Sequence, residues 1–241
     1  MRVAFFVLIL SYVLAPSAFA QSTKNADAWL THPMATEDKN PLVLYFRRSL
    51  ELNEKPKSFP ITLTADNRFI LYVNGQRVLS GPSTGDVQHW RESRLDIAQY
   101  LTEKHNVIAA VVWNGVKPLN IPDNASEKRK RALQGAALFT QTAPSFQKSL
   151  ATGFRLIGEA QASVVSTDKP GWRVKIDEGR SFTNGWRQLK RWYYVAGHPE
   201  TIDATRSDFD WNAKEESKDG WHDAVPAPLA ANRTLVVDKL P

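Results

Sequence analysis

The sequence predicts an all-β fold, a jelly-roll-like antiparallel β-sandwich with short helical turns in its loops, and three observations carry that prediction. The first is Arg68 to Val78, RFILYVNGQRV, where an apolar run from Phe69 to Val73 meets Asn74-Gly75 and Val78 and Leu79 follow. Asn-Gly places both central residues of a two-residue turn at positive φ with little strain, which makes it the strongest short hairpin signal. Ile70 and Tyr72 point to one face of this strand and Phe69, Leu71 and Val73 to the other. Both faces are apolar, so the hairpin belongs inside a two-layer structure. The second observation is Asn106 to Asn114, NVIAAVVWN, whose unbroken apolar core is the mark of a central strand covered on both sides. A buried helix competes for that stretch, but its short length and its valines and isoleucine favour a strand. The third is the series of short strand-like runs separated by turn signals, without internal repeats or a sustained amphipathic helix.

Taken in order, the chain begins with a stretch that stands apart from the fold. Arg2 supplies a positive start, Val3 to Leu14 is apolar, and Ala18-Phe19-Ala20 is an A-x-A cleavage pattern before Gln21. Residues 1–20 therefore read as a secretory signal peptide, with an uncleaved anchor as the rival that the short apolar run disfavours. Export to the periplasm or the medium is the expectation, with no membrane association after cleavage. Residues 21–40 are polar apart from Trp29 and read as an N-terminal arm that pins this ring onto the core. Residues 41–225 read as the sandwich and 226–241 as a linker towards a downstream domain.

Within the sandwich, Leu42 to Phe46 is a strand that continues through Ser49 to Leu52. Ile61, Leu63 and Ala65 alternate with Thr62 and Thr64, as a half-buried strand does. After the hairpin, Ser80 to Ser93 reads as an ordered loop rich in Gly, Ser and Pro. Leu95 to Ile97 leads into one helical turn at Ala98 to Leu101. Beyond the central strand, Leu133 to Thr140, Phe154 to Val165, Trp172 to Ile176 and Trp192 to Val195 read as strands, with a turn at Thr167 to Gly171. Leu235 to Val237 is a last strand-like patch.

Composition narrows the function classes. The 241-residue chain has no cysteine, so disulfides and lipid-modified cysteine are excluded, and its stability must come from the core. The formal charge of +6 falls to +5 once Arg2 leaves with the signal, since 30 basic residues then face 25 acidic ones. The dense cluster Lys128-Arg129-Lys130-Arg131 has the composition to bind nucleic acid or acidic polysaccharide, but a solvated loop explains it better in an exported protein. No nucleic-acid partner is expected.

Five segments form an ordered set: FRRSLEL (Phe46 to Leu52), TADNRFILYVNG (Thr64 to Gly75), SGPSTGDVQHW (Ser80 to Trp90), LDIAQYL (Leu95 to Leu101) and HNVIAAVVWN (His105 to Asn114). Together they resemble the N-terminal galactose-binding-like β-sandwich of bacterial α-L-rhamnosidases. The likeness runs from about Phe46 to Val225 and takes in Tyr194 to Gly197, Glu200, Ile202 to Ala204, Arg206 and Asp219 to Trp221. YVNG and D-I-x-x-Y-L are shared by many sugar-binding sandwiches; the segment GD-x-x-HW narrows the likeness to the rhamnosidase type. The resemblance implies a non-catalytic accessory module. In that family the acid and base carboxylates lie on a downstream helical barrel, and no position here matches one of them. The expected partners are thus a carbohydrate, such as a rhamnose-containing glycan, and that catalytic barrel. The rival is a stand-alone exported carbohydrate-binding or interaction protein.

The chain's own residues agree with a binding role. Glycoside hydrolysis needs two carboxyl groups flanking the bond, one with a raised pKa. Asp66, Asp86, Glu92, Asp96, Asp203, Asp208 and Asp210 show no spacing that forces a pair, and Asp66 and Asp96 read as turn and cap residues. The five histidines are scattered without ligand spacing, so no metal or cofactor is expected. Sugar binding asks for an aromatic ring beside carboxylates, amides or Arg, and eight tryptophans offer many choices. The best candidate cluster is Asp86, His89, Trp90 and Arg91; the second is Trp211 with Asp208 and Asp210. Burial of both rings, or packing of the loop against a catalytic domain, remains open beside sugar contact.

Overall fold

The computed structural model describes residues 28–35, 42–85, 89–115, 126–128, 151–182, 200–213, 219–227 and 234–238. Its strands run β1 (Leu30–Thr31), β2 (Leu42–Leu52), β3 (Pro60–Asp66), β4 (Arg68–Val73), β5 (Gln76–Gly81), β6 (His89–Asp96) and β7 (Lys104–Asn114). They continue with β8 (Gly153–Gly158), β9 (Arg173–Ile176), β10 (Arg180–Phe182), β11 (Glu200–Ile202), β12 (His222–Asp223), β13 (Val225–Pro226) and β14 (Thr234–Val237). Two six-stranded sheets result, one ordered β13-β1-β8-β3-β6-β14 and the other β12-β9-β2-β7-β4-β5, with β10 and β11 as a separate ribbon. All pairings are antiparallel except β14 with β6, which is parallel. The fold is a β-sandwich.

Two-residue alternation explains why these segments became strands and which way they face. Leu44 and Phe46 of β2, Ile61 and Leu63 of β3, Phe69 and Leu71 of β4, Ile108 and Val112 of β7, and Phe154 and Leu156 of β8 all meet in one buried core. The opposite phase of β2 and β7 is apolar too, with Val43, Tyr45, Val107 and Val111 buried in a second cluster on the outer side of their sheet. The unbroken apolar runs in these two strands thus reflect burial on both faces, as their sequences predict.

The hairpin tip behaves as its dipeptide demands. Asn74 has φ 52° and Gly75 φ 79°, the positive values of a two-residue turn that follows the strand twist. The Asn74 amide ties the tip to the neighbouring strand: its Oδ1 accepts from Val107 N at 2.8 Å and its Nδ2 donates to Asn106 Oδ1 at 2.9 Å. Asp96 lies just before the helical turn at Ala98–Tyr100, whose N-cap is Ile97, and its Oδ1 accepts from the backbone N–H groups of Ala98 and Phe59, at 2.9 and 2.8 Å.

Three expectations are corrected. His89 to Ser93 is strand and not loop, because β6 pairs with β3 on one side and β14 on the other. The strand expected over Phe154 to Val165 stops at Gly158, after which Ala160–Val165 forms a 3-10 helix. Gly158 cannot be larger there, since a Cβ on it would sit 1.9 Å from the Ala162 carbonyl oxygen. The segments either side of the expected sandwich also contribute strands, β1 from the arm and β14 from the linker, so the sheets extend past residues 41–225. Leu133 to Thr140 and Trp192 to Val195 lie outside the described residues. Among the described residues no helix is long and apolar enough to cross a membrane.

Candidate functional site

Trp90 and Trp211, the tryptophans of the two clusters singled out in the sequence, lie on the outer faces of different sheets. On the first, β6 alternation turns Trp90 and Glu92 outward, where they meet Trp29 from the N-terminal arm and Val237 from β14. Trp90 is fully buried. Its ring meets Trp29 edge-on, centroids 6.3 Å apart at 84°, and its Nε1–H donates to the Ala65 carbonyl at 3.1 Å. Ala227 and Leu235 pack against the pair. With no ring face left to solvent, Trp90 is placed as a packing residue, the alternative that the sequence left open beside sugar contact. Of its proposed companions, His89 is exposed and Arg91 half-buried, the latter's carbonyl accepting from Thr64 Oγ1 at 2.6 Å. Asp86 lies outside the described residues.

The same face carries an ion pair. Glu92 Oε2 lies 3.0 Å from Arg155 Nη1, with side chains 13% and 4% exposed. Burial pushes the Glu92 carboxyl above its ordinary value, against the pull of Arg155. The same burial lowers Arg155, against the pull of Glu92 and Asp168. Desolvation here opposes the attraction between the partners.

The second cluster forms a strap over the other sheet. Residues 203–213 leave the β10–β11 ribbon and cross β9, β2 and β7 to reach the β4–β5 turn. Asp208 Oδ2 lies 3.6 Å from Lys175 Nζ on β9. Trp211 then lies flat on Tyr45 of β2, centroids 4.2 Å apart at 12°, and meets Tyr72 of β4 edge-on at 5.6 Å. Its carbonyl accepts from Arg47 Nη1 at 3.0 Å. Ala213 closes against Gly75, where an added Cβ would come within 2.9 Å of the Ala213 Cβ. Ala109 and Val107 on the sheet beneath are small or flat enough to leave room for an indole. Trp211 is 7% exposed, so it too is a packing residue and not the open platform its polar neighbours suggested. Asp210, the third member, donates its backbone N–H to Asp208 Oδ1 at 3.3 Å.

Asp177, which the sequence did not single out, anchors the strap's start. Its buried carboxylate accepts from the Tyr45 hydroxyl and from Gly179 N, pairs with Arg180 Nε at 3.0 Å, and faces Ser207 Oγ at 3.4 Å. Burial, then the bond to Asp177, raises the Tyr45 hydroxyl well above its ordinary value. The signal for Tyr45 and Arg47 was their odd phase against Leu44 and Phe46 in β2.

Ile70, Tyr72, Trp113 and Phe182 are half-buried around the cluster that the strap completes. Register places Arg68 opposite Trp113, Ile70 opposite Val111 and Tyr72 opposite Ala109. Arg68 is held in place, its Nη1 donating to the Pro82 carbonyl at 2.6 Å and its Nη2 to Thr84 Oγ1 at 3.1 Å. Among the described residues, no group of three or more His, Cys, Asp or Glu is placed to hold a metal ion.

No protein-family model matches this sequence, and no curated protein matches it either. The fold does match solved structures. The GH78 family rhamnosidase of Bacillus sp. GL1 superposes with a TM-score of 0.61 at 21% identity, over 90% of this chain and 20% of that one. The α-L-rhamnosidase from Dictyoglumus thermophilum gives 0.57 at 14% identity, over 89% and 22%. The α-L-rhamnosidase from Aspergillus terreus gives 0.53 at 14%, over 86% and 22%. The chain spans about a fifth of the length of these enzymes. What it shares with them is a fold, the β-sandwich that each contains as one part of a much longer chain.

Proposed function

We propose that this chain is a non-catalytic, carbohydrate-binding sandwich module of an α-L-rhamnosidase-like glycoside hydrolase, exported by its signal peptide and working beside a catalytic barrel. The observation that carries this reading is the fold match over 90% of this chain to 20% of a rhamnosidase. A sandwich of this kind is a rigid scaffold, and its chemistry resides in what its faces and end loops present. The internal carboxylates support the non-catalytic role. Glu92 is bound to Arg155, and Asp177 to Tyr45 and Arg180, so each acid is committed to a cation and to packing. A glycosidase instead sets two carboxyls about 5–10 Å apart across an open cleft.

The test uses the purified chain in two assays. On an aryl α-L-rhamnoside it releases no chromophore, and in affinity electrophoresis it is retarded by a rhamnose-bearing polysaccharide. Turnover that is lost on replacing one carboxylate, Glu92→Gln for instance, would overturn the non-catalytic part. Unretarded migration in every polysaccharide gel would overturn the binding part.

A further inference from the structure

The hairpin tip is built from a dipeptide well suited to its turn and, for a related reason, prone to attack on itself. Gly75 has no side chain, so its backbone nitrogen meets little steric hindrance in reaching the side-chain amide carbon of Asn74. The fold commits that amide elsewhere. Its Oδ1 accepts from Val107 N at 2.8 Å, and its Nδ2 donates to Asn106 Oδ1 at 2.9 Å and to the Tyr100 carbonyl at 3.0 Å. The backbone adds a bond from Asn74 N to the Val107 carbonyl at 2.8 Å. Turning the side chain onto the Gly75 nitrogen breaks all the amide's bonds at once. Asn106 is itself locked: its Oδ1 accepts from Thr102 N at 2.9 Å, and its Nδ2 donates to the Thr102 and Lys104 carbonyls at 2.8 and 3.0 Å.

We propose that Asn74-Gly75 is a self-modification site, which deamidates through openings of the hairpin tip from β7 and thereafter keeps the tip from closing as before. This inference stands apart from the carbohydrate-binding reading. In the open tip the Gly75 nitrogen forms a bond to Asn74 Cγ and gives up its proton, the Cγ–Nδ2 bond breaks, and ammonia leaves with that proton. The cyclic imide then takes up one water. Water that breaks the new Cγ–N bond leaves aspartate at position 74. Water that breaks the original backbone C–N bond leaves isoaspartate, whose main chain runs through Cβ and Cγ. Nothing is oxidised or reduced. Aspartate puts a group that only accepts where Nδ2 faced two acceptors, Asn106 Oδ1 and the Tyr100 carbonyl. Asn106 has no donor to spare, because turning its amide over would break its bonds to Thr102 and Lys104. Isoaspartate lengthens the turn as well, so a chain once modified has lost the contacts that protected it.

The test incubates the full chain in mildly alkaline buffer, native and in denaturant, and follows residue 74 by peptide mass spectrometry and isoaspartate content. Two other Asn-Gly pairs, Asn114-Gly115 and Asn184-Gly185, calibrate the unfolded rate, since in denaturant all three react alike. In the native chain Asn74 reacts at least about thirtyfold more slowly than in denaturant, the scale of several hydrogen bonds broken before reaction. Denaturant below the unfolding transition speeds this reaction and amide exchange at Val107, whose N–H is held by Asn74 Oδ1, by the same factor. Asn106→Ala removes one partner of the Asn74 amide and raises the native rate about fivefold without changing the rate in denaturant. That variant is read where its thermal unfolding stays cooperative; where it does not, the wild-type comparisons decide alone. Asn74→Asp makes the first product directly and raises exchange at Val107 about tenfold while the rest of β7 keeps its protection. Equal native and denatured rates at Asn74, or a native rate that moves independently of Val107 exchange, would overturn the gate. So would an Asn74 that stays inert in denaturant while the other two pairs react. Unchanged Val107 exchange in the Asn74→Asp variant would overturn the lasting loss of the closed tip.

Discussion

The two sheets finish their outer faces in opposite ways. On the sheet holding β3, β6 and β8, the cover is Trp29 and Trp90 edge-to-face beside a buried Arg155–Glu92 pair, and the strands β1 and β14 are hydrogen-bonded into the sheet. On the sheet holding β2, β4 and β7, the cover is a strap with no ladder to the strands beneath it, held by the Trp211–Tyr45 stack, Arg47 and the Asp208–Lys175 pair. The first face is covered by the two indoles, while β1 and β14 extend its sheet sideways. On the second the strap supplies the covering side chains, and among the described residues Tyr72, Ile70 and Trp113 stand half-buried around them. One face gains extra strands along its sheet, whereas the other gains a strap laid across it.

The comparison is broken most directly at the two tryptophans. Trp90→Ala removes a fully buried indole wedged between a strand and its cover, so it should cost about 4 kcal/mol and expose the β14 edge. Chemical denaturation reads the first effect and hydrogen exchange at Leu235 and Val236 the second; a loss under about 1 kcal/mol would show that this face is not closed as described. Trp211→Ala should cost less, about 2–3 kcal/mol, because the strap can settle onto Ala109 and partly fill the gap. Its signature is local: faster hydrogen exchange and proteolysis within residues 203–213 while β2 and β7 keep their protection. If the two variants lost protection over the same strands, the contrast between ladder and strap would fail.

The sandwich was legible because its signals are local. Asn74-Gly75, the alternation of Ile61, Leu63 and Ala65, and the apolar run of β7 each need no knowledge of the rest of the chain. Asp96, read from its place before a helical turn, does bond the local backbone there. The candidate site was much less legible. Trp90 and Trp211 sit among polar residues in the sequence, a context that suggests exposure, yet their covers come from far along the chain: Trp29 and Leu235 for one, Tyr45 and Tyr72 for the other. Tyr45 and Arg47 were hidden inside a strand whose two phases both looked like core. Trp113 was read as part of a covered strand, yet it is half-buried between the buried Val112 and Asn114, a difference that no local pattern encodes.

The smallest effect sharpens the comparison through pH. Burial holds the Glu92 carboxyl above its ordinary 4.5, with Arg155 pulling the other way, so folding favours the protonated form. The sign follows from proton linkage. Below the unfolded value the carboxyl is protonated in both states and its favourable contribution is complete. As pH rises through the raised folded value, the native state must ionise a desolvated group, and that contribution is lost. Glu92→Gln keeps an acceptor for Arg155 and cannot ionise. As pH rises above 4.5 the wild type should therefore lose stability relative to this variant, an effect readable as converging or crossing denaturation midpoints. A wild type that gains on the variant as pH rises would mean that the attraction of Arg155 outweighs desolvation. The first face would then be held by its charges and not by the tryptophans and the strand that cover them.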